Sequence, residues 1–338
     1  MSPPEAGEVV ETRERVLDEL RLGDRFVLVT HENPDGDALG SLVAMHRVLS
    51  ALGKDSVMLM SADEFPLPYE YRFFDLDGMQ SQPPDDVEER TAIFLDCGNI
   101  DRMPVTFLRR DSAHIVNIDH HHDNTHFGTA NLVVGDASCT AEIVYDLTKD
   151  LGIDLTPSIA EALYVALVTD TGKFQYENTT AAAHRMAAEL IDLGVDVHAI
   201  FRRLYENVPV PKLELLARVL GRVERFDDGV LTVSYIERAD YEETGADENF
   251  SEGIVDHIRA LEGTVVAALV REQLKEGREG IRKVSLRAAT DLVDVSVIAR
   301  EEGGGGHRQA AGFSSQLSVD EITEFVRREF AAATASVA

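Results

Sequence analysis

Over the first 195 residues the apolar positions switch period several times. Glu8–Leu22 and Ala38–Leu52 place apolar residues at helical spacing, and Gly53 stops the second segment. Between them Phe26–Thr30 is a short, almost unbroken apolar run, the pattern of a strand buried on both faces. Ser56–Ser61, 91–95 and 114–118 read as further strands, and 139–151 and 157–168 as helices. Glu64–Asp86 is rich in Pro and Asp and reads as loop with little regular structure. This alternation predicts an α/β fold, a mostly parallel sheet with helices on both faces.

Residues 181–205 read as helical until Asn207-Val208-Pro209-Val210-Pro211 interrupts them, and a helix over 212–220 ends at Gly221. A second, smaller α/β module begins near 223. Its predicted strands are Val230–Ile236, Gly263–Val270 and Lys283–Ala288, and its predicted helices 250–261, 291–300 and 319–332. The expected organisation is a first domain over 9–195, a helical connector over 196–222 and a second domain over 223–335. No apolar run reaches the ~20 residues of a membrane span, and no basic start leads into an apolar stretch. Cys97 and Cys139 read as free thiols. Together these features predict a cytoplasmic protein.

Acidic and imidazole residues gather where the apolar runs end. His31, Asp35 and Asp37 follow the first strand, Asp96 follows 91–95, and Asp119-His120-His121 follows 114–118; Asp170 follows the run Leu163–Thr169. Taken as four strand ends, these clusters converge on one crevice of a parallel sheet. Each alone has a plain explanation. Asp35 and Asp37 can make a turn and cap the next helix, Asp96 and Asp119-His120-His121 can be loop chemistry, and Asp170 can be another cap. Together they repel one another unless cations neutralise them. Carboxylates mixed with imidazoles favour a borderline ion such as Mn²⁺ over Ca²⁺ or Mg²⁺. No cysteine ligand is present to suggest structural zinc. Two such ions suit hydrolysis of a phosphate ester, with Asp96 as the natural bridging carboxylate.

Charge narrows the choice of substrate. The chain carries 61 acidic against 32 basic residues, a formal net charge of −29. Such a surface repels long polyanions, since binding them takes a basic footprint. A small phosphorylated ligand held by metals and a few arginines remains compatible with it. The acidity fits either adaptation to high salt or simply an acidic soluble protein.

The pattern His-x-x-x-Asp-x-Asp, a later lone Asp, Asp-His-His and a final Asp resembles the four motifs of the DHH phosphoesterase superfamily. The segment Gly303-Gly304-Gly305-Gly306-His307-Arg308-Gln309-Ala310-Ala311-Gly312-Phe313 resembles the signature of the DHH-associated C-terminal domain. Nearly the whole chain is covered, and its length is similar to the branch that hydrolyses very short oligoribonucleotides (nanoRNA) and 3′-phosphoadenosine 5′-phosphate (pAp). The resemblance implies that His31, Asp35 and Asp96 hold one Mn²⁺, and that Asp37, Asp96, His120 and Asp170 hold the other. Mg²⁺ or Co²⁺ would be substitutes. It further implies that His121 faces the scissile phosphate, with Asp119 orienting a histidine, and that His122 points outward.

By itself the glycine run could be a slack linker. The resemblance favours an anion pocket in which Gly305, Gly306, His307, Ser285 and Arg287 grip the distal end of the substrate. Arg308 is open to a surface role. Cys139 stands where a small hydroxyl residue is more usual. The expected partners are short RNA, pAp, and linear or cyclic dinucleotides, with no long duplex and no membrane; a homodimer is compatible with the reading. A DHH-type pyrophosphatase would carry a different second domain, and a RecJ-like exonuclease would be longer and more basic. A silent nucleotide-binding sensor would usually lack a ligand.

Overall fold

The hydrophobic run at 26–30 becomes the centre of a sheet because both of its faces find apolar cover. In the computed structural model, which describes residues 6–102, 113–274, 277–290, 292–306 and 308–335, the chain divides into two units, Met1–Asn207 and Val208–Ala338. The first contains α1 (Ala6–Leu22), β1 (Arg25–Val29), α2 (Gly36–Ala51), β2 (Asp55–Leu59), β3 (Met79–Gln80), β4 (Thr91–Leu95), β5 (Ile115–Asp119) and β6 (Ala130–Val133). It continues with α3 (Thr140–Asp150), α4 (Pro157–Asp170), α5 (Ala181–Asp192) and α6 (Val197–Phe201). All strand pairs are parallel, in the order β3-β2-β1-β4-β5-β6. The order reverses between β1 and β4, and ligands of such sheets bind beyond the strand ends at that switch point.

Phe26 and Leu28 of β1 join one core with α1 to α5, while Val27 and Val29 face the other way, against Phe94, Ile115, Val87 and Ile100. Val87 and Ile100 belong to short 3₁₀ turns, and among the described residues they cover the second face together with Ala113 and Phe127. The stretch expected as loop holds a 3₁₀ turn at Tyr69–Tyr71 and the two-residue β3, which adds an outer strand to the sheet. The pattern Ala130–Val133 was too short to announce β6. Asp170 ends α4 and not a strand, so the fourth cluster reaches the crevice from a helix terminus. It gets there because Gly40 of α2 lets α4 approach closely. A Cβ on Gly40 would lie 2.5 Å from the Ala162 carbonyl oxygen and 2.7 Å from the Ala166 Cβ.

The second unit contains α7 (Val210–Gly221), β7 (Glu224–Phe226), β8 (Leu231–Ile236), α8 (Arg238–Thr244), α9 (Ile254–Arg259), β9 (Val266–Glu272) and β10 (Arg282–Ala288). It ends with α10 (Val295–Glu301), β11 (Gly305–Gly306), β12 (Ala310–Ser315) and α11 (Val319–Ala335). Its sheet runs β11-β12-β10-β9-β8-β7, with only β8–β9 parallel. The predicted helix over 250–261 is a 3₁₀ turn at Glu248–Ser251 followed by the short α9, separated by Gly253 at φ +79°. The long helix predicted over 181–205 divides into α5, α6 and a π-turn at Arg202–Glu206, because Gly194 at φ +99° ends α5. Gly305 and Gly306 pair with Gly312 and Ala311, so the glycine run is the edge of a sheet and not a linker. Glycine is required there: a Cβ on Gly304 would lie 2.2 Å from the Gly312 carbonyl oxygen.

Candidate metal centre

The first unit brings His31, Asp35, Asp37, Asp96, His120, His121 and Asp170 together at the switch point. Their ligand atoms form three groups, each within 4.8 Å: His31 with Asp35 and Asp96, Asp37 with His120 and Asp170, and Asp96 with His120 and His121. Asp96 is common to two of the three. It follows β4 directly at φ +56°, a left-handed conformation that few non-glycine residues adopt and Asp tolerates better than most. This turn keeps the buried carboxylate against the strand end.

The donor set fits divalent cations. The His31 Nδ1–H donates to the Glu32 carbonyl at 2.8 Å, so Nε2 is the ring nitrogen that faces Asp96 Oδ2, 3.5 Å away. His120 Nε2 lies 3.6 Å from Asp96 Oδ1, 3.7 Å from Asp170 Oδ2 and 4.0 Å from Asp37 Oδ2. These separations are too long for good hydrogen bonds, and they suit atoms disposed around a shared ion. Asp35 serves the protein as well. Its Oδ1 accepts from the Asp37 and Ala38 backbone N–H groups at 3.0 and 3.1 Å and caps α2.

Asp37 is fully enclosed and is held by the start of α3. Its Oδ2 accepts from the Thr140 N–H at 2.7 Å, and its Oδ1 from the Ala141 N–H and the Ser41 hydroxyl, both at 3.0 Å. The unpaired N–H groups of a helix N-terminus are a natural seat for a carboxylate. Burial still pushes the Asp37 carboxyl well up, and the charges of Asp96, Asp170 and Asp35 add to that. Asp170 is pushed up to about 7, again by burial first, with Asp35 and Asp96 raising it and His120 opposing. For Asp96 burial acts upward, but the His31 hydrogen bond and the charges of His121, His31 and His120 hold it below the usual carboxylate range. Carboxyls raised by one another's charge are sites where a cation replaces a proton.

His121 is oriented by Asp119. Asp119 Oδ1 accepts the Nδ1–H at 2.7 Å, and Asp119 Oδ2 is fixed by Asn124 Nδ2 at 2.6 Å. Burial lowers the His121 imidazolium, but Asp119 and then Asp96 outweigh it and bring it up to about 9. Asn178 Nδ2 donates to Asp170 Oδ2 at 3.0 Å, and the Thr140 hydroxyl to Asp96 Oδ1 at 3.1 Å. Sequence reasoning missed Ser41, Asn124, Thr140 and Asn178. Ser41 was legible, four residues beyond Asp37 on one helix face. Thr140 was not, because its partners lie far off in sequence. Cys139, buried at the N-cap of α3, gives that helix no side-chain cap.

In the second unit, Lys283, Ser285 and Arg287 alternate along β10 with buried Val284, Leu286 and Ala288. The register lines up Gly305, Gly312 and Ser285 in one row across three strands. Buried Arg271 holds Ser285: its Nη2 donates to Ser285 Oγ at 2.9 Å, and its Nη1 to Ser251 Oγ at 2.7 Å and Glu252 Oε1 at 2.8 Å. An Oγ that accepts from arginine has its own proton left to give. Arg287 donates to the Leu286 carbonyl at 3.0 Å and lies 3.7 Å from Asp256. His307 falls outside the described residues.

Residues 25–167 match the family model described as "DHH family, N-terminal domain", and 228–332 match the DHHA1 domain. The bifunctional oligoribonuclease and PAP phosphatase NrnA of Thermus thermophilus is 34% identical over 312 residues, covering 89% of both chains. The chain belongs to the DHH family. It is therefore a hydrolase of the DHH phosphoesterase type, with an α/β fold. The protein of the same name from Bacillus subtilis is 25% identical over 303 residues, 87% of this chain and 90% of that one. The crystal structure of an exopolyphosphatase-related protein from Bacteroides fragilis covers 97% of this chain and 96% of its own, with a TM-score of 0.81 at 21% identity. That likeness shows the shared fold. No helix among the described residues is long and apolar enough to cross a membrane.

Proposed function

We propose that this DHH protein hydrolyses very short oligoribonucleotides and pAp in a Mn²⁺-dependent reaction. The observation that carries the reading is Asp96, a buried carboxylate that shares one donor group with His31 and Asp35 and another with His120 and His121, while His120 also joins the group of Asp37 and Asp170. His31, Asp35 and Asp96 would hold one ion, and Asp37, Asp96, His120 and Asp170 the other. Such a pair polarises phosphoryl oxygens and makes hydroxide available near neutral pH. His121, oriented through Asp119, donates from Nε2 to the scissile phosphate or to the leaving oxygen. Asp37 and Asp96 are kept in register by Thr140.

The names of the two NrnA relatives support the substrate class, since both name an oligoribonuclease and a PAP phosphatase. In this reading 9–195 is the catalytic domain, 196–222 a connector and 223–335 the substrate-binding domain. Ser285, Arg287, Gly305, Gly306 and His307 take the distal phosphate of a linear or cyclic dinucleotide or of pAp. The enzyme works in the cytoplasm on small substrates, apart from long duplexes.

Turnover of pAp, a dinucleotide, a 24-nucleotide strand, a cyclic dinucleotide and pyrophosphate, each with Mn²⁺, Mg²⁺ or Co²⁺, tests the proposal. The expected result is Mn²⁺-supported cleavage of pAp and the dinucleotide. Preference for the long strand would move the reading to a RecJ-like exonuclease, and preference for pyrophosphate to a pyrophosphatase. Nucleotide binding without turnover would mark a sensor.

A further inference from the structure

The turn after Asp170 carries an aromatic ring that the metal chemistry leaves unused. Gly172, Lys173 and Phe174 have φ of +54°, +65° and +63°, three successive left-handed residues that fold the chain back on itself. Phe174 is the inward anchor of this turn, stacked on His184 with ring centroids 5.0 Å apart and edge-on to Tyr164 at 6.5 Å. Tyr176, two residues on, goes the other way. Its N–H donates to the Thr171 carbonyl at 3.0 Å, and its ring returns across Gly172. A Cβ built on Gly172 would lie 2.4 to 2.6 Å from three carbons of that ring, so only glycine leaves room for it.

Both ends of the turn are tied to one carboxylate. Asp170 begins it, and Asn178 closes it by donating to Asp170 Oδ2 at 3.0 Å and to the Ser138 carbonyl at 2.8 Å. Gly172 is two residues from Asp170, so their Cα atoms are at most ~7.6 Å apart. Yet Tyr176 is 49% exposed. Phe174 already supplies the apolar anchor, so an exposed ring is not needed to hold the turn. A rigid aromatic face within a nucleotide's length of a phosphate-cleaving centre suits a nucleobase. Stacking on it tolerates any base, because every base presents a π-face.

We propose that Tyr176 is the stacking platform for the nucleobase adjoining the scissile phosphate. The proposal rests on the reading of the chain as a nucleotide phosphoesterase, and it makes that site selective for a base-bearing phosphate over a bare sugar phosphate.

Calorimetric titration of the full Mn²⁺-loaded chain with adenosine monophosphate and with ribose 5-phosphate tests it without turnover. Wild type is expected to bind the base-bearing probe more tightly. Tyr176→Leu should weaken adenosine monophosphate about 5- to 150-fold, the worth of one stacked base, and leave ribose 5-phosphate unchanged. Tyr176→Phe, which keeps the ring, should match wild type. Equal affinity of wild type for both probes, parallel loss of both in Tyr176→Leu, unchanged adenosine monophosphate affinity in that variant, or loss of its bound metal would each overturn the proposal. A wild-type enzyme that cleaves no nucleotide would instead overturn the proposed function, and the ratio of the two affinities would still decide the platform.

Discussion

Asp96 is the residue on which the centre turns, since its two oxygens face three imidazoles: Oδ2 meets His31, and Oδ1 meets His120 and His121. Asp96→Ala should abolish hydrolysis and lower the bound Mn²⁺ measured by elemental analysis, because a shared ligand is lost from two positions. Retention of two ions and full activity would refute the sharing. Arg271 lies in the second unit, beside the proposed substrate-binding residue Ser285. It fixes the Ser285 hydroxyl as a donor, so Arg271→Gln should raise KM for pAp with bound metal unchanged. Ser285→Ala should raise KM to a similar extent, and the double variant should be no worse than either single one. Additive losses would mean that the arginine does not act through the serine. The residue-level chemistry of the Asp and His clusters was legible because metal ligands are few in type and sit at element ends. Arg271 was not, because a lone arginine in a strand gives no sign of what it touches.

Two helices decide whether the ligands meet. The N-terminus of α2 brings Asp35 and Asp37, the C-terminus of α4 brings Asp170, and the two helices cross closely at Gly40. Gly40→Ala would press a methyl into the Ala162 carbonyl. The expected cost is about 1–3 kcal/mol, read as a lower denaturant midpoint, together with weaker Mn²⁺ binding as Asp170 moves off. The start of α3 offers the opposite case. Cys139 stands at its N-cap without a side-chain hydrogen bond. Cys139→Ser would offer the Glu142 N–H, which already donates to the Cys139 carbonyl at 3.2 Å, a second acceptor, and thermal melting should show up to about 1 kcal/mol of added stability. A lower melting temperature would mean that burying the hydroxyl outweighs the cap. Helix and strand periods were readable over most of both units. The short strands β3, β6, β7 and β11 were not, since segments of two to four residues are stabilised by their neighbours and carry no period of their own, and β12, made of small residues behind the glycine run, was not read as a strand either.

At the scale of the whole molecule the net charge of −29 governs what approaches. Turnover should be highest on pAp and on strands of about two to five nucleotides, and should fall steeply with length, through backbone repulsion or through the shape of the site. Raising NaCl from 0.05 to 1 M screens exposed charges. If repulsion sets the length limit, salt should narrow the gap between short and long strands; if the shape of the site sets it, the gap should persist. The same titration should raise the melting temperature, because self-repulsion of an acidic surface also opposes folding. A melting temperature indifferent to salt would show that the acidic groups are locally paired.

The sequence alone announced most of the longer strands and helices and the chemical character of the centre. Periodicity, turn residues and ligand types are written in short windows of chain, which is why these features could be read directly. Only the tertiary structure decided which atoms share the crevice. The Asp37 carboxylate is seated by N–H groups more than a hundred residues away, and Asp170 arrives from a helix end through a glycine crossing. Ser285 takes its polarity from an arginine on the neighbouring strand. Such contacts depend on the register of packed elements, and register is a property of the folded chain as a whole.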